Sequence, residues 1–155
     1  MSIPKFELRR RYDLTAGAYD RRYEEIQRKK YDVVMENLPR VCRVLDLGCG
    51  TGMLFQLLVE RADFVVGVDI ARGMLRLARS RANERVALVQ ADADLLPFAD
   101  ESFDAVVSIT MLQNVPNPAA TMKEIARVLR IGGMAIITSL KHKHSPDQLR
   151  DWAVS

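Results

Sequence analysis

Three carboxylates and a run of glycines carry the chemistry legible in this chain. Asp46, Asp69 and Asp92 each follow a strand-like apolar run, and Asp46 opens the segment Asp46-Leu-Gly-Cys-Gly-Thr-Gly52. A tight glycine turn between a strand and a helix brings backbone N–H groups and a helix N-terminus up to a ligand. A nucleotide or another anion-bearing cofactor would suit such a turn. Two phosphate loops do not match: G-x-G-x-x-G begun at Gly48 needs glycine where Met53 stands, and no Gly-Lys-Ser/Thr ending follows. Asp69 is suited to accept hydrogen bonds from a ribose diol, with capping of the next helix as the competing role. Asp92 and Asp94, in Gln90-Ala-Asp-Ala-Asp94, serve equally well as turn and cap residues.

These side chains need elements to position them. Apolar spacings of Tyr19, Tyr23, Ile26, Val33 or Val34, and Leu38 predict a helix over residues 18–38, stopped by Pro39. A polar, aromatic segment, residues 11–20, precedes it. Strands are expected at 41–47, 64–69, 86–90, 103–109 and 134–140, alternating with helices at 52–60, 74–78 and 118–129. Asn117 is placed to cap the last of these, with Pro118 in its first turn. Gly132-Gly133 ends the connection into the fifth strand. Ser145-Pro-Asp-Gln148 is a capping box that opens a final helix. Near-continuous apolar strands joined by helices specify an α/β, doubly wound, mainly parallel sheet with its site beyond the carboxyl ends of the strands.

Bulk properties narrow the partners. The chain has 155 residues, 48% apolar and 28% charged, which fits a single domain with a real core. No apolar stretch reaches membrane-spanning or signal-peptide length, so no membrane partner and a cytoplasmic location are expected. Cys42 and Cys49 read as reduced thiols, and the lack of a Cys/His cluster argues against a metal. A net charge of +3 permits RNA as a partner without indicating it. The basic clusters at 9–11, 21–22, 28–30 and 141–144 read as solvated faces.

The ordered set Asp46/Gly48/Gly50, Asp69 and Asp92, with residues 95–104 leading into the fourth strand, resembles the class I S-adenosylmethionine-dependent methyltransferases of the small methyltransferase-domain type. The resemblance covers residues 44–140. It implies a three-layer Rossmann-like methyltransferase fold, one domain over residues 1–155 with an N-terminal helical lid at 11–38, lacking the last two strands usual in that family. It implies S-adenosylmethionine as cofactor and S-adenosylhomocysteine as its product form. Asp46, Gly48, Cys49 and Gly50 would form the cofactor loop, and Asp69 would hold the ribose. Ile70 and Met74 would flank the adenine. Asp92 would accept the adenine amino group, with the Ala93 N–H on the ring. Thr110 would complete the site, and Tyr12 and Tyr19 would close over the methionyl end, where an aromatic face attracts the sulfonium. For Met74 and Tyr19 ordinary packing is the alternative. NAD is the rival cofactor, since adenine and ribose recognition look alike.

The acceptor is not named by the sequence. Methyl transfer depends mainly on alignment and shielding, so no catalytic residue is assigned. Tyr12, Tyr23, Gln113 and Asn114 are the candidates for acceptor binding, with Asp13 and Asp20 beside them. Related enzymes commonly read Leu-His-His where this chain reads Leu112-Gln113-Asn114, and amides are not useful bases near neutral pH. The Asn/Asp-Pro-Pro-Phe/Tyr tetrapeptide of planar-nitrogen methyltransferases is also missing. His142 and His144 lie in a lysine-rich turn. A small metabolite is favoured as acceptor. A tRNA or protein acceptor with a partner subunit, and a noncatalytic cofactor-binding or scaffolding protein, are the alternatives. The fifth strand is expected at an open sheet edge, covered by the last helix, a second copy or a partner subunit.

Overall fold

A computed structural model describes residues 4–154; the side chains of residues 17, 19–23 and 154 lie outside that description. The first element is one long helix, α1, Lys5–Asn37. The sequence reading began it at residue 18, and the chain instead runs helical through 11–20. A lone interior glycine such as Gly17 costs only about 1 kcal/mol. Burial of Ala16, beside Tyr12, against Ala71 and Met74 gives the N-terminal half its cover. At the far end the Leu38 N–H reaches Val34 O at 2.8 Å, and Pro39 cannot continue the ladder. The inward stripe is the expected one at Val34 and Leu38, but near the middle of the helix Gln27 rather than Ile26 faces inward. Gln27, Val34 and Leu38 are buried, whereas Ile26 and Val33 are 57% and 47% exposed.

Five parallel strands follow: β1 (Val41–Leu47), β2 (Ala62–Asp69), β3 (Val86–Gln90), β4 (Phe103–Ile109) and β5 (Leu129–Thr138). Their order is β3-β2-β1-β4-β5. The chain winds outward from β1 in one direction and then from β4 in the other. This α/β, Rossmann-like topology opens a crevice at the carboxyl ends of β1 and β4. Side chains alternate across the sheet. Val44 joins the core under α1 with Phe55, Leu58, Val65 and Val107. Leu45 and Leu47 join the opposite core with Val68, Val106, Leu112 and Ile125. Burial on both faces is why these strands read as continuous apolar runs.

The helices are α2 (Phe55–Leu58), α3 (Arg72–Ala78), α4 (Pro118–Val128) and α5 (Pro146–Val154). Asn117 caps α4 as expected, its Oδ1 accepting the Ala120 N–H at 3.1 Å. Ser145 and Gln148 form the reciprocal capping box of α5. Three expectations are corrected. The helix expected over 52–60 is a single turn, because left-handed Gly48, Gly50 and Gly52 devote the chain to turning. Phe55 then seats on Gly67, where an added Cβ would stand 2.6 Å from its ring. β2 begins at Ala62 rather than 64. β5 begins at 129, not 134, and ends at 138, not 140. Gly132-Gly133 lies inside this strand, beside a register irregularity between Phe103 and Ala105 on β4. Gly132 has φ +77°, and a Cβ on Gly133 would meet Asp104 O at 3.0 Å, so the glycines serve a bulge rather than end the connection.

β5 is one of the two outer strands, opposite β3, with Ile131 87% and Met134 39% exposed. Helix α5 packs on α4, sending Leu149 and Trp152 into the core beneath it, rather than running along that edge. No helix among the described residues is long and apolar enough to cross a membrane.

Candidate functional site

The glycine turn after β1 is wired internally. The Gly48 and Cys49 N–H groups both donate to Val68 O, at 2.8 and 2.9 Å, and the Gly52 N–H donates to Cys49 O at 3.0 Å. The Gly50 N–H donates to Asp69 Oδ2 at 2.9 Å. The expectation that this turn offers a row of N–H donors to an anion is therefore corrected. The parallel ladder continues past β1 and takes those donors, and α2 is too short to add a helix terminus. Glycine is needed for close approach: a Cβ on Gly48, at φ +76°, would stand 2.5 Å from Met111 Cγ.

Two carboxylates lie under and beside this turn. Asp46 is buried and its Oδ2 has no hydrogen-bond partner. Burial, and then the charge of Asp69, push its pKa up to about 7. Asp69 Oδ1 accepts the Ala71 N–H at 2.9 Å, so the side chain ties the turn to the start of α3. Burial raises the Asp69 pKa, and the N–H donors from Ala71 and Gly50 work against that rise. Cys49 is buried between them, and its thiol is pushed well upward by burial and by both carboxylates. Cys42, at the opposite end of β1, is exposed; both thiols are free.

A cleft of about 690 Å³ opens at the carboxyl ends of the strands. It gathers Tyr12, Gly48, Gly50, Asp69, Ile70, Met74, Asp92, Ala93, Thr110 and Asn114 from five separate stretches of chain. Asp46 and Cys49 line a smaller hollow behind the turn, with Gln27 and Tyr31 of α1. Met74 is 1% exposed and is both core and wall. The side chains of Tyr19 and Tyr23 lie outside the described residues. Asp92 is engaged by a residue the sequence reading missed. Lys5 Nζ bridges Asp92 Oδ2 and Asp94 Oδ2, each at 2.7 Å. Burial opposes the Lys5 charge, but the two carboxylates outweigh it and raise its pKa. Only a helix begun at residue 5 would have revealed this pairing. Asp13 Oδ1 accepts the Gly73 N–H at 2.6 Å, fastening α1 to α3 beside the cleft.

A second cleft, open to solvent, adjoins the first and shares Leu8, Tyr12, Thr110 and Asn114 with it. Asn114 Nδ2 donates to Tyr12 Oη at 2.7 Å at this junction. Gln113 turns into the second cleft, where its Oε1 accepts the Leu140 N–H at 2.9 Å. Thr110 holds φ +55°, a costly conformation for a β-branched residue. Its N–H is fixed by Thr138 O at 3.1 Å and Thr138 Oγ1 at 3.0 Å. Lys30 Nζ donates to Thr110 Oγ1. Burial lowers the Lys30 pKa. Lys30 and Gln27 were also missed, because their facing depends on the phase of α1. His144 pairs with Ser139 Oγ at 2.9 Å and stacks edge-on against Trp152, outside both clefts.

The first cleft fits an adenosyl cofactor that lacks a pyrophosphate. It offers a carboxylate at the β2 end and an apolar wall of Ile70 and Met74, while the unpartnered carboxylate oxygen of Asp46 lies in the hollow behind the turn. It lacks the donor row that a dinucleotide needs. No metal-binding group of side chains exists among the described residues.

Comparison with known proteins agrees. Residues 45–137 match the model of a methyltransferase domain family. The chain belongs to the class I S-adenosylmethionine-dependent methyltransferases of this small type. It is 39% identical over 139 residues to a demethylmenaquinone methyltransferase of Thermus thermophilus, covering 86% of this chain and 60% of that protein. Among solved structures it is similar to a complex between a methyltransferase activator of Haloferax volcanii and a candidate methyltransferase. There the TM-score is 0.73 at 28% identity, over 79% of this chain and 57% of that one. The [4+2]-cyclase SpnF matches with TM-score 0.73 at 26% identity, over 81% of this chain and 54% of that one. The chain spans 20% to 60% of the length of the curated relatives it matches.

Proposed function

We propose that this chain binds S-adenosylmethionine in the first cleft and transfers its methyl group to a small-molecule acceptor. The observation that carries the reading is the glycine turn whose N–H groups are already engaged, set against Asp69 and an apolar slot. In this reading Asp69 holds the ribose with acceptor capacity left beyond the backbone N–H groups of Gly50, Ile70 and Ala71 that it already accepts. Ile70 and Met74 flank the adenine. Asp92 reaches the adenine amino group alongside its ion pair to Lys5, and Ala93 lies at the ring edge. Gly48 and Gly50, with Asp46 and Cys49 behind them, bound the methionyl end, and Thr110 stands across from them. Helix α1 is the lid, with Tyr12 closing over the junction of the two clefts and Tyr19 and Tyr23 assigned to the same lid. When bound, the cofactor supplies an electrophilic methyl group, so the protein's share is alignment and exclusion of water. Gln113 and Asn114 orient the acceptor and no side chain is required as base.

The small-metabolite preference rests on the likeness to a demethylmenaquinone methyltransferase. A partner subunit is a second reading, favoured by the open β5 edge and by the likeness to a chain complexed with an activator. We place the protein in the cytoplasm because both thiols are free.

Calorimetry with S-adenosylhomocysteine, S-adenosylmethionine and NAD tests the cofactor. Both adenosyl-sulfur ligands are expected to bind and NAD is not. Asp69→Ala is expected to lose about 10- to 100-fold in affinity, the range for a charge-assisted hydrogen bond. Binding of NAD alone would overturn the reading. Labelled methyl transfer to fractionated extract then separates acceptors: nuclease-sensitive incorporation would replace the small molecule by RNA.

A further inference from the structure

The second cleft carries a charge pattern that neither the family nor the first cleft requires. Among its described lining residues two are cations, Arg11 and Lys30, and none is a carboxylate. Among the described residues of α1, Lys5, Arg9 and Arg28 have acidic partners, in Asp92 with Asp94, in Asp13 and in Glu24. Lys30 has no ion-pair partner among the described residues. Its ammonium instead donates to the hydroxyl of Thr110, the residue common to both clefts and held at positive φ. The remaining lining sets apolar Leu8, Ala18, Ile26 and Leu140 beside Tyr12, Thr15, Gln27, Gln113 and Asn114. Ile26 is left 57% exposed on this side of the helix. A half-buried cation with no ion-pair partner among the described residues, in a partly apolar cleft, favours an anion on an apolar frame.

We propose that the second cleft seats the methyl acceptor, and that Lys30 Nζ binds an ionised oxygen of an acceptor built on a hydrocarbon or aromatic frame, a phenolate in its simplest form. The assignment rests on the first cleft being the cofactor site. It accounts for Gln113 and Asn114 standing where a basic imidazole is common. An acceptor held as its oxyanion has already lost its proton. Its oxygen, or a ring carbon conjugated with it, supplies the electron pair for the new bond to the methyl carbon. The pair of the broken methyl–sulfur bond stays on sulfur, leaving a neutral thioether. A carbon acceptor then loses its ring proton to water. Burial holds the Lys30 pKa down without an anion beside it, and a bound oxyanion would restore it.

The test uses the whole chain saturated with S-adenosylhomocysteine and 4-nitrophenol as an optical probe, because its phenolate absorbs separately from the phenol. In the wild-type chain the bound probe is expected to ionise at lower pH than the free probe. Lys30→Met is expected to bind the phenolate about tenfold or more weakly, the loss typical of a charge-assisted contact. Lys30→Arg keeps most of that binding. 4-Nitroanisole, which has no ionisable oxygen, should bind wild type and Lys30→Met alike. Affinity for S-adenosylhomocysteine should be the same in all three proteins, which also reports that each is folded. Equal phenolate binding in wild type and a folded Lys30→Met would overturn the proposal, as would an unshifted probe pKa in the wild type, which needs no variant. Failure of the wild type to bind S-adenosylhomocysteine would overturn the cofactor reading itself, and the acceptor assignment with it.

Discussion

Asp46 is buried in an environment that opposes its charge. Its ordinary pKa is 3.8 and the folded value is about 7, raised by burial and then by Asp69. Between those values the unfolded chain has released this proton while the folded chain keeps it. Stability therefore falls as pH rises through that window and levels off above it. Asp46→Asn removes the titration. Relative to the variant, the wild type should lose roughly 1.4 kcal/mol for each unit of the shift crossed. Melting temperatures of both proteins measured across the window check this; parallel curves would refute it. At this scale the sequence was informative where chemistry is local. Asp46, Asp69 and Asp92 stand at strand ends, and their order along the chain told their places. Lys5, Gln27 and Lys30 were opaque. Lys5 and Lys30 act on residues far along the chain, Asp92 and Thr110, Gln27 is buried with its Oε1 unpartnered, and only the phase of a long helix decides where each points.

The contact between α1 and α3 depends on a residue with no side chain. A Cβ added to Gly73 would stand 3.1 Å from both Cα and O of Asp13, and 3.0 Å from its Oδ1. Alanine would favour α3 by up to about 1 kcal/mol through helix propensity. Against this, the atoms it meets include backbone of a rigid helix, and forced separation costs about 1–3 kcal/mol. We expect the second effect to win. Gly73→Ala should loosen the N-terminal half of α1, seen as faster hydrogen exchange at residues 8–16, and should weaken adenosyl ligand binding. Unchanged exchange would show that α1 yields without cost. The boundaries of elements follow the same division between local and distant causes. β1, β3 and β4 begin and end where their apolar runs do, because burial on both faces writes itself into composition. α1 starts earlier than its strongest periodicity, since its first turns are held by α3 and by Asp92. β5 starts earlier than its apolar run, since Gly132-Gly133 answers a bulge against β4 that only the pairing reveals.

For the molecule as a whole, the sheet ends in two outer strands, β3 and β5, and β5 is the one that leaves large apolar side chains exposed. Ile131, at 87% exposure on β5, is the largest apolar liability of that edge. The wild-type chain is expected to self-associate with rising concentration, forming a two-fold pair more readily than an open array. Ile131→Lys should remain monomeric by light scattering, since an edge lysine discourages strand pairing. A wild type that stays monomeric across the series would contradict this. The two cysteines bear on the same global state in another way. Cys42 lies exposed at the end of β1 remote from both clefts, and Cys49 is buried at the other end with its thiol held protonated. The thiolate is the reactive form. A thiol reagent therefore meets one reactive site on the native chain and two on the unfolded one. Cys42 becomes a single attachment point for a reporter that leaves the clefts untouched, and the slow arrival of a second adduct counts openings of the fold.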